Sequence, residues 1–262
     1  MSSALIDVAI DGPISTIRLN NPPANCYSFE MMRELDAAIL DARFNDQVHV
    51  IILQGAGEKF FCAGADIEML GEVTPGFKYN FCLHANETLN RLEQTPKLTI
   101  AALNGHCVGG GLEVALACDL RVACQGAGKI GLPEVNLGVL PGTGGTQRLL
   151  RLLGKSRAME YMISGRVTAF EAAQEQGLIA EIWPAEEFSS RLREYALSFS
   201  PPAKASRAVG LIKRAVQSGA EMGFHEGLAL ERELQQQLFQ STDAGEGIAA
   251  YVEKRSPQFK GE

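Results

Sequence analysis

Two glutamates stand in apolar surroundings, where soluble proteins seldom place a carboxylate. Glu113 interrupts the apolar run at residues 107–118, and Glu134 lies in the segment KIGLPEV at residues 129–135. Carboxylates are seldom fully buried without a partner, because removing the ionised group from water is costly. The pair therefore predicts acid–base chemistry, although a solvent-facing position or a structural arginine would explain either glutamate equally well.

Glycines and small residues near this pair could expose main-chain N–H groups to a ligand. Gly109, Gly110 and Gly111 precede a predicted helix, whose first N–H groups and positive dipole end favour developing negative charge. A loop of small residues at 60–67, FFCAGADI, follows a predicted buried strand. If the N–H groups of Ala65 and Gly110 converge, they form an oxyanion hole. Each motif alone is more often explained by packing or by an ordinary turn.

The two carboxylates are expected to differ in protonation. Glu113 lies in the first turn of the predicted helix, whose N-terminus should keep it ionised and therefore a base. Glu134, in a more apolar setting, should hold a proton more readily and act as an acid. Opposed protonation states are what acid–base work on one substrate requires.

Several other functions are disfavoured by composition and spacing. The net charge of −7, without a long basic block, argues against generic nucleic-acid binding. The glycines do not form a dinucleotide-binding G-x-G-x-x-G after a first strand. His84 and His106 are isolated and are interpreted as structural, and no cluster has metal-ligand spacing.

Cellular location is also constrained by the sequence. The six cysteines show no CxxC pairing and mostly fall in apolar stretches, which favours a reduced intracellular compartment. Residues 1–19 do not resemble a signal peptide, and no apolar stretch reaches the ~20 residues of a membrane span. A soluble, cytoplasmic protein is expected.

The predicted elements form an α/β core followed by helices. Strands are predicted at 5–10, 14–19, 48–53, 98–103, 120–123 and 179–183, the first two as a hairpin, with a loop at 55–64. The first predicted helix follows a cap at Ser28 and ends near residue 44, and another follows the glycine run and ends near 117. Further helices are predicted at 77–94, 147–153, 157–164, 169–176 (after a cap at Thr168) and 186–199. Residues 203–253 are almost wholly helical in pattern, with breaks near 219 and 242. The fold class is α/β, with a core at 1–199, a linker at Pro201-Pro202 and a helical section at 200–262.

In this order and spacing, the motifs resemble the crotonase superfamily and, within it, the enoyl-CoA hydratases. The match is carried by FCAGADI at 61–67, AALNGHCVGGGLEVALACD at 101–119, GLPEVNLG at 131–138, PGTGGTQRL at 141–149 and YVEKR at 251–255. The resemblance implies a spiral of ββα turns and a helical C-terminal section that mediates trimerisation. It also implies a homotrimer or a hexamer (a dimer of trimers), and an acyl-CoA thioester as substrate. Coenzyme A is then part of the substrate, and no metal or redox cofactor is needed.

The resemblance also assigns roles to individual residues. The catalytic pair maps onto Glu113 and Glu134, and the oxyanion donors map onto the N–H groups of Ala65 and Gly110. Tyr251 and Lys254 match positions where a neighbouring subunit touches the nucleotide end of coenzyme A. The full set of substrate- and CoA-binding positions is Ala24, Ala63, Ala65, Asp66, Ile67, Glu68, Gly110, Tyr251 and Lys254.

Retention of both glutamates favours hydration within the superfamily, because isomerases of the family generally keep one carboxylate. The implied reaction is syn addition of water across a 2-trans double bond, which gives a 3-hydroxyacyl-CoA. The nearest alternatives are isomerisation of the double bond, hydration of a branched or cyclic enoyl-CoA, and hydrolysis. A non-catalytic assembly or RNA-associated protein with the same fold is a more distant alternative.

Two positions depart from the family pattern. The segment NNPPANC at 20–26 lacks the basic residue that many relatives have before the proline, and Cys26-Tyr27 replaces an aliphatic residue. Glu68 stands where several relatives have lysine. Both departures weaken the expectation of family-like contacts to the nucleotide and pantetheine here.

Overall fold

The computed structural model describes residues 4–262, which form ten strands and eleven α-helices. The strands are β1 Ile6–Asp11, β2 Ile14–Leu19, β3 Val50–Gly55, β4 Phe60–Cys62, β5 Leu98–Leu103, β6 His106–Val108, β7 Leu120–Cys124, β8 Lys129–Gly131, β9 Val167–Ala169 and β10 Glu181–Trp183. The helices are α1 Phe29–Phe44, α2 Ile67–Glu72, α3 Pro75–Glu93, α4 Gly110–Leu116, α5 Gly145–Leu153, α6 Lys155–Ser164, α7 Phe170–Glu175, α8 Phe188–Leu197, α9 Ser206–Gly219, α10 Phe224–Phe239 and α11 Thr242–Glu253. A 3₁₀ turn spans Glu134–Leu137.

The larger sheet has six strands in the order β1-β2-β3-β5-β7-β10. The predicted hairpin is confirmed, since β1 and β2 pair antiparallel, and the remaining neighbours pair parallel. All six residues of β5 are buried, as expected for a parallel strand covered on both faces. These strands carry the loops that form the site.

A second sheet of four short strands, in the order β4-β6-β8-β9, was not predicted. The interpretation of 55–64 as a loop was wrong, because β4 lies within it. The predicted Thr168 cap was also wrong, because Thr168 lies in β9 and pairs with Ile130 of β8. In this sheet β4, β6 and β8 are neighbours, so the small-residue loop, the glycine run and the Glu134 segment lie side by side.

Helices pack against the larger sheet, and α1 and α3 each begin at a side-chain cap. The predicted cap at Ser28 is confirmed, since its side chain accepts a hydrogen bond from the N–H of Met31 at 3.3 Å. Helix α3 begins earlier than predicted, after a cap at Thr74. The apolar faces of α1 and α3 pack on the main core cluster, which includes Leu35 and Leu89.

The C-terminal helices follow a break in regular structure between α8 and α9. A buried ion pair joins α9 to the core, with Lys213 Nζ 2.8 Å from Asp119 Oδ2 and side-chain exposures of 5% and 12%. The division into a core at 1–199 and a section at 200–262 stays a prediction. Within residues 4–262, no helix has both the length and the apolar character needed to cross a bilayer.

Candidate active site

The glycine run forms the start of a short helix that is buried throughout. All seven residues of α4 are buried, and Gly109 precedes them with φ 57° and ψ −136°, a conformation that favours glycine. The N–H of Gly109 donates to the carbonyl of Gly131 at 2.8 Å, which ties the helix start to β8. The predicted turn is therefore rigidly built into the core.

Glu113 lies in the first turn of α4 with a relative exposure of 2%. Its Oε1 accepts hydrogen bonds from the N–H groups of Thr143 and Gly145, both at 2.7 Å. Burial raises the pKa of Glu113, whereas hydrogen bonds from Gly145 and Thr143 lower it. Loss of solvation is the largest of these effects. The expectation that the helix N-terminus helps to keep Glu113 ionised stays a prediction.

Glu134 opens the 3₁₀ turn that follows β8, and it faces the glycine run. A Cβ at Gly109 would lie 3.3 Å from Glu134 Oε1. Glu134 Oε2 is buried and has no hydrogen-bond partner among residues 4–262. Burial, and then the charge of Glu113, raise the pKa of Glu134 to about 7. The two carboxyl groups thus interact, and Glu134 retains a proton more readily than a solvated glutamate, as predicted.

The two predicted oxyanion donors lie on neighbouring segments. A Cβ at Gly64 would come within 2.9 Å of the nitrogen of Gly110, so the loop before Ala65 packs against the start of α4. Within the described part of the chain, neither the N–H of Ala65 nor that of Gly110 donates a hydrogen bond. Their role as oxyanion donors stays a prediction.

The predicted CoA-binding loop lies beside these donors. Ala63 donates its N–H to the carbonyl of Ala24 at 3.0 Å, which joins two of the predicted positions. Asp66 caps α2 by accepting from the N–H of Met69 at 3.1 Å. Ile67 and Glu68 are exposed on α2, a helix in which no residue is buried.

Tyr251 and Lys254 lie at the end of α11, and no hydrogen bond or ion pair joins their side chains to the glutamate pair. The Tyr251 side chain is 87% exposed. Lys254 ends α11 in the left-handed conformation, with φ 58°. Among residues 4–262, neither side chain has a hydrogen-bond or ion-pair partner.

His84 and His106, which were interpreted as structural, each contact another residue of the chain. His84 packs its ring edge-on to Phe29, with centroids 5.6 Å apart. His106 lies in β6, and its Nδ1 accepts from the N–H of Lys129 at 3.1 Å. No group of three potential metal ligands occurs among residues 4–262.

Sequence reasoning assigned no role to the residues that hold Glu113 in place. Thr143 and Gly145 lie in the segment 141–149, which contributed to the family resemblance but carried no chemical pattern of its own. Arg148 supports this segment, since its Nη1 donates to the carbonyl of Thr143 at 3.4 Å and its Nη2 pairs with Glu93 at 2.9 Å. No lysine or arginine stands close to Glu113 in the sequence. This absence was a signal that main-chain N–H groups from another segment would have to stabilise its carboxylate.

Comparison with known proteins places the chain in a family. The sequence model described as enoyl-CoA hydratase/isomerase matches residues 9–262. The chain belongs to the enoyl-CoA hydratase/isomerase family. A crystal structure of an enoyl-CoA hydratase from Geobacillus kaustophilus superposes with a TM-score of 0.96 at 46% identity, over 100% of this chain and 98% of that one. One from Bacillus anthracis gives 0.93 at 35% identity, over 98% and 100%.

A curated relative supports the same family. The short-chain-enoyl-CoA hydratase of Clostridium acetobutylicum is 35% identical over 246 residues, which cover 94% of this chain and 93% of its own. The resemblance to the crotonase superfamily is thereby confirmed, together with the α/β fold and its helical C-terminal region. As a member of the enoyl-CoA hydratase/isomerase family, the chain is an enzyme of hydratase or isomerase type, and an acyl-CoA substrate is consistent with that family.

Proposed function

We propose that this protein is an enoyl-CoA hydratase, which adds water syn across the 2-trans double bond of an enoyl-CoA to give a 3-hydroxyacyl-CoA. The observation that carries the proposal is the pair of interacting carboxyl groups at one glycine turn. Glu113 is fixed by two amides, burial raises the pKa of Glu134 to about 7, and a buried oxygen of Glu134 has no hydrogen-bond partner among residues 4–262. Hydration needs one group that accepts a proton and one that donates a proton, whereas a double-bond shift can be served by a single carboxylate.

The proposed reaction assigns each group one task. The N–H groups of Ala65 and Gly110 bind the thioester oxygen and stabilise the negative charge that develops on it, which typically contributes about 3–4 kcal/mol per donor. Glu113, ionised, accepts a proton from water as the water oxygen bonds to C3. Glu134 gives its proton to C2, which takes up the electron pair of the double bond. Proton exchange with solvent then restores both carboxyl groups.

The thioester is proposed to be bound through coenzyme A at the loop that carries Ala24, Ala63 and the start of α2. Tyr251 and Lys254 are proposed to contact the nucleotide end held by a neighbouring copy, since both are exposed and neither side chain has a partner among residues 4–262. A homotrimer or a dimer of trimers is proposed accordingly. Exposed apolar side chains on the C-terminal helices support such an assembly: Ile212, Val216, Phe224 and Phe239.

A panel of 2-trans-enoyl-CoA thioesters graded by length and branching tests the function. Hydration is followed by loss of the ultraviolet absorbance of the conjugated thioester, and the product is identified by chromatography. A parallel panel of 3-enoyl-CoA thioesters measures isomerisation. Rapid hydration with slow isomerisation is expected. Isomerisation that exceeds hydration across both panels contradicts the proposal, and sedimentation analysis decides the assembly independently.

A further inference from the structure

Tyr27 connects the two halves of the site through its main chain. Its N–H donates to the carbonyl of Gly64 at 2.9 Å, and its carbonyl accepts from the N–H of Asp66 at 3.0 Å. These two bonds form a parallel bridge that brackets Ala65. The orientation of the Ala65 N–H, one of the two proposed oxyanion donors, is therefore fixed by Tyr27.

The side chain of Tyr27 reaches the other donor. Its exposure is 3%, and its ring lies 6.0 Å from that of Phe81, centroid to centroid. A Cβ at Gly110 would overlap the Tyr27 hydroxyl, so the phenol lies directly against the backbone of Gly110. A glycine is required at position 110 as long as this tyrosine is present.

The hydroxyl of Tyr27 forms a hydrogen bond with a residue that holds Glu113. Tyr27 Oη and Thr143 Oγ1 are 3.1 Å apart and share a hydrogen bond inside the core. Thr143 in turn donates its N–H to Glu113 Oε1 at 2.7 Å. One side chain thus lies between the backbone of an oxyanion donor and the loop that fixes the carboxylate.

We infer that Tyr27 is a positioning residue, which holds both oxyanion donors and the Glu113 carboxylate in a fixed mutual geometry through Ala65, Gly110 and Thr143. The inference rests on the proposed hydratase function and adds a residue to it. Tyr27 does not touch the reacting atoms in this scheme. It acts by keeping Thr143, and with it Glu113, at the distance that the bound thioester requires.

The competing interpretation is that Tyr27 only fills the core beside Phe81. Tyr27→Phe separates the two interpretations, because it keeps the ring and removes only the hydroxyl. A core role predicts a change in stability alone. A positioning role predicts that Thr143 loosens, that its hydrogen bonds to ionised Glu113 weaken, and that the pKa of Glu113 rises further.

The experiment measures kcat and KM for hydration across pH for the full-length wild type and Tyr27→Phe. A fall in kcat of about tenfold is expected, with KM changed less than about twofold, since geometry rather than binding is lost. The acid limb of the pH profile should move up by roughly half a unit. Glu134 and Arg148, the other charged groups coupled to Glu113, are unchanged in this variant.

Two further variants control the result. Tyr161→Phe removes another buried hydroxyl, which bonds to the carbonyl of Ile130 at 3.0 Å, and it should leave kcat and the pH profile unchanged. In a Thr143→Val background, Tyr27→Phe should have little further effect on kcat, because the path through the Thr143 hydroxyl is already broken. If the losses in kcat caused by Tyr27→Phe and Thr143→Val are additive in the double variant, the inference is overturned.

Infrared difference spectroscopy gives a readout that needs no substrate. The carboxyl stretching band of protonated Glu113, assigned by its loss in Glu113→Gln, is titrated in the wild type and in Tyr27→Phe. An upward shift supports the inference even if the wild type hydrates no enoyl-CoA, in which case the proposed function alone fails. An unchanged titration, or a kcat loss that only follows loss of folded protein, overturns the role of Tyr27.

Discussion

The carboxylate of Glu134 lies against the Cα of Gly109, at a spacing that would leave an added Cβ only 3.3 Å from Oε1. Gly109 also has φ 57°, which L side chains rarely adopt. The position of one proposed catalytic group is therefore set by the absence of a side chain on the residue it faces.

Gly109→Ala should lower kcat about tenfold or more, because the methyl group displaces Glu134 and strains the turn. Gly12→Ala is the matched control, since Gly12 has the same φ of 57° but no atom within 4 Å of its added Cβ. Steady-state hydration rates distinguish the two. Equal activity in both variants would show that the contact with Glu134 has no catalytic importance.

Glu113→Gln and Glu134→Gln should each lower kcat by roughly two orders of magnitude or more. Glutamine keeps the shape and can still accept the amide bonds at position 113, but it neither ionises nor carries an acidic proton. Thermal unfolding of each variant verifies that the fold is intact. A rate near that of the wild type in either variant would remove that residue from the mechanism.

The pH profile of kcat/KM should be bell-shaped. Hydration slows as pH rises past about 7, because Glu134, whose pKa is raised to about 7, loses the proton it must donate. It slows at acid pH because Glu113 gains a proton. The two limbs belong to the coupled pair rather than to single residues. A rate that stays constant through neutral pH would argue against a protonated Glu134.

Glu134→Gln should gain stability relative to the wild type as pH rises. Between the ordinary value of 4.5 and about 7, the unfolded chain releases a proton that folded Glu134 retains, so wild-type stability falls through this window. Partial exposure of Glu134 reduces the size of the effect. Melting temperatures of both proteins between pH 5 and 8, within this range of titration, should diverge; a constant difference contradicts the raised pKa.

Lys213→Met should destabilise the protein by about 3–5 kcal/mol, because it leaves Asp119 buried without its cation. The pair joins α9 to the core at 2.8 Å. Arg193→Met is the control, since it breaks an exposed pair with Asp11, whose side chains are 54% and 61% exposed. Denaturant-induced unfolding should show a large loss for Lys213→Met and little change for the control. Equal losses would mean that burial of the pair does not matter.

Long, regular elements could be predicted from the sequence because their patterns repeat over several residues. The strands at 14–19 and 98–103 have the predicted bounds, and the cap at Ser28 is confirmed. The second sheet could not be predicted, since its strands have only three residues each, too few for a period to appear. Thr168 was interpreted as a helix cap because the strand that contains it, β9, is also too short to show a period.

The residue types of the site could be predicted, but their environment could not. Glu113 and Glu134 were found from their apolar neighbours, and the raised pKa of Glu134 agrees with that reasoning. The balance at Glu113 between burial and two amide bonds depends on Thr143 and Gly145, which lie far along the chain. The contacts of Tyr27 could not be predicted either, since they join Tyr27 to three segments that are distant from it in sequence.

Helix α4 and helix α2 differ completely in burial, and this difference separates two tasks. Every residue of α4, which carries Glu113, is enclosed, whereas no residue of α2 is. Under the proposed function, substitutions on α2 are therefore expected to alter binding of the thioester with less effect on the reaction than substitutions on α4.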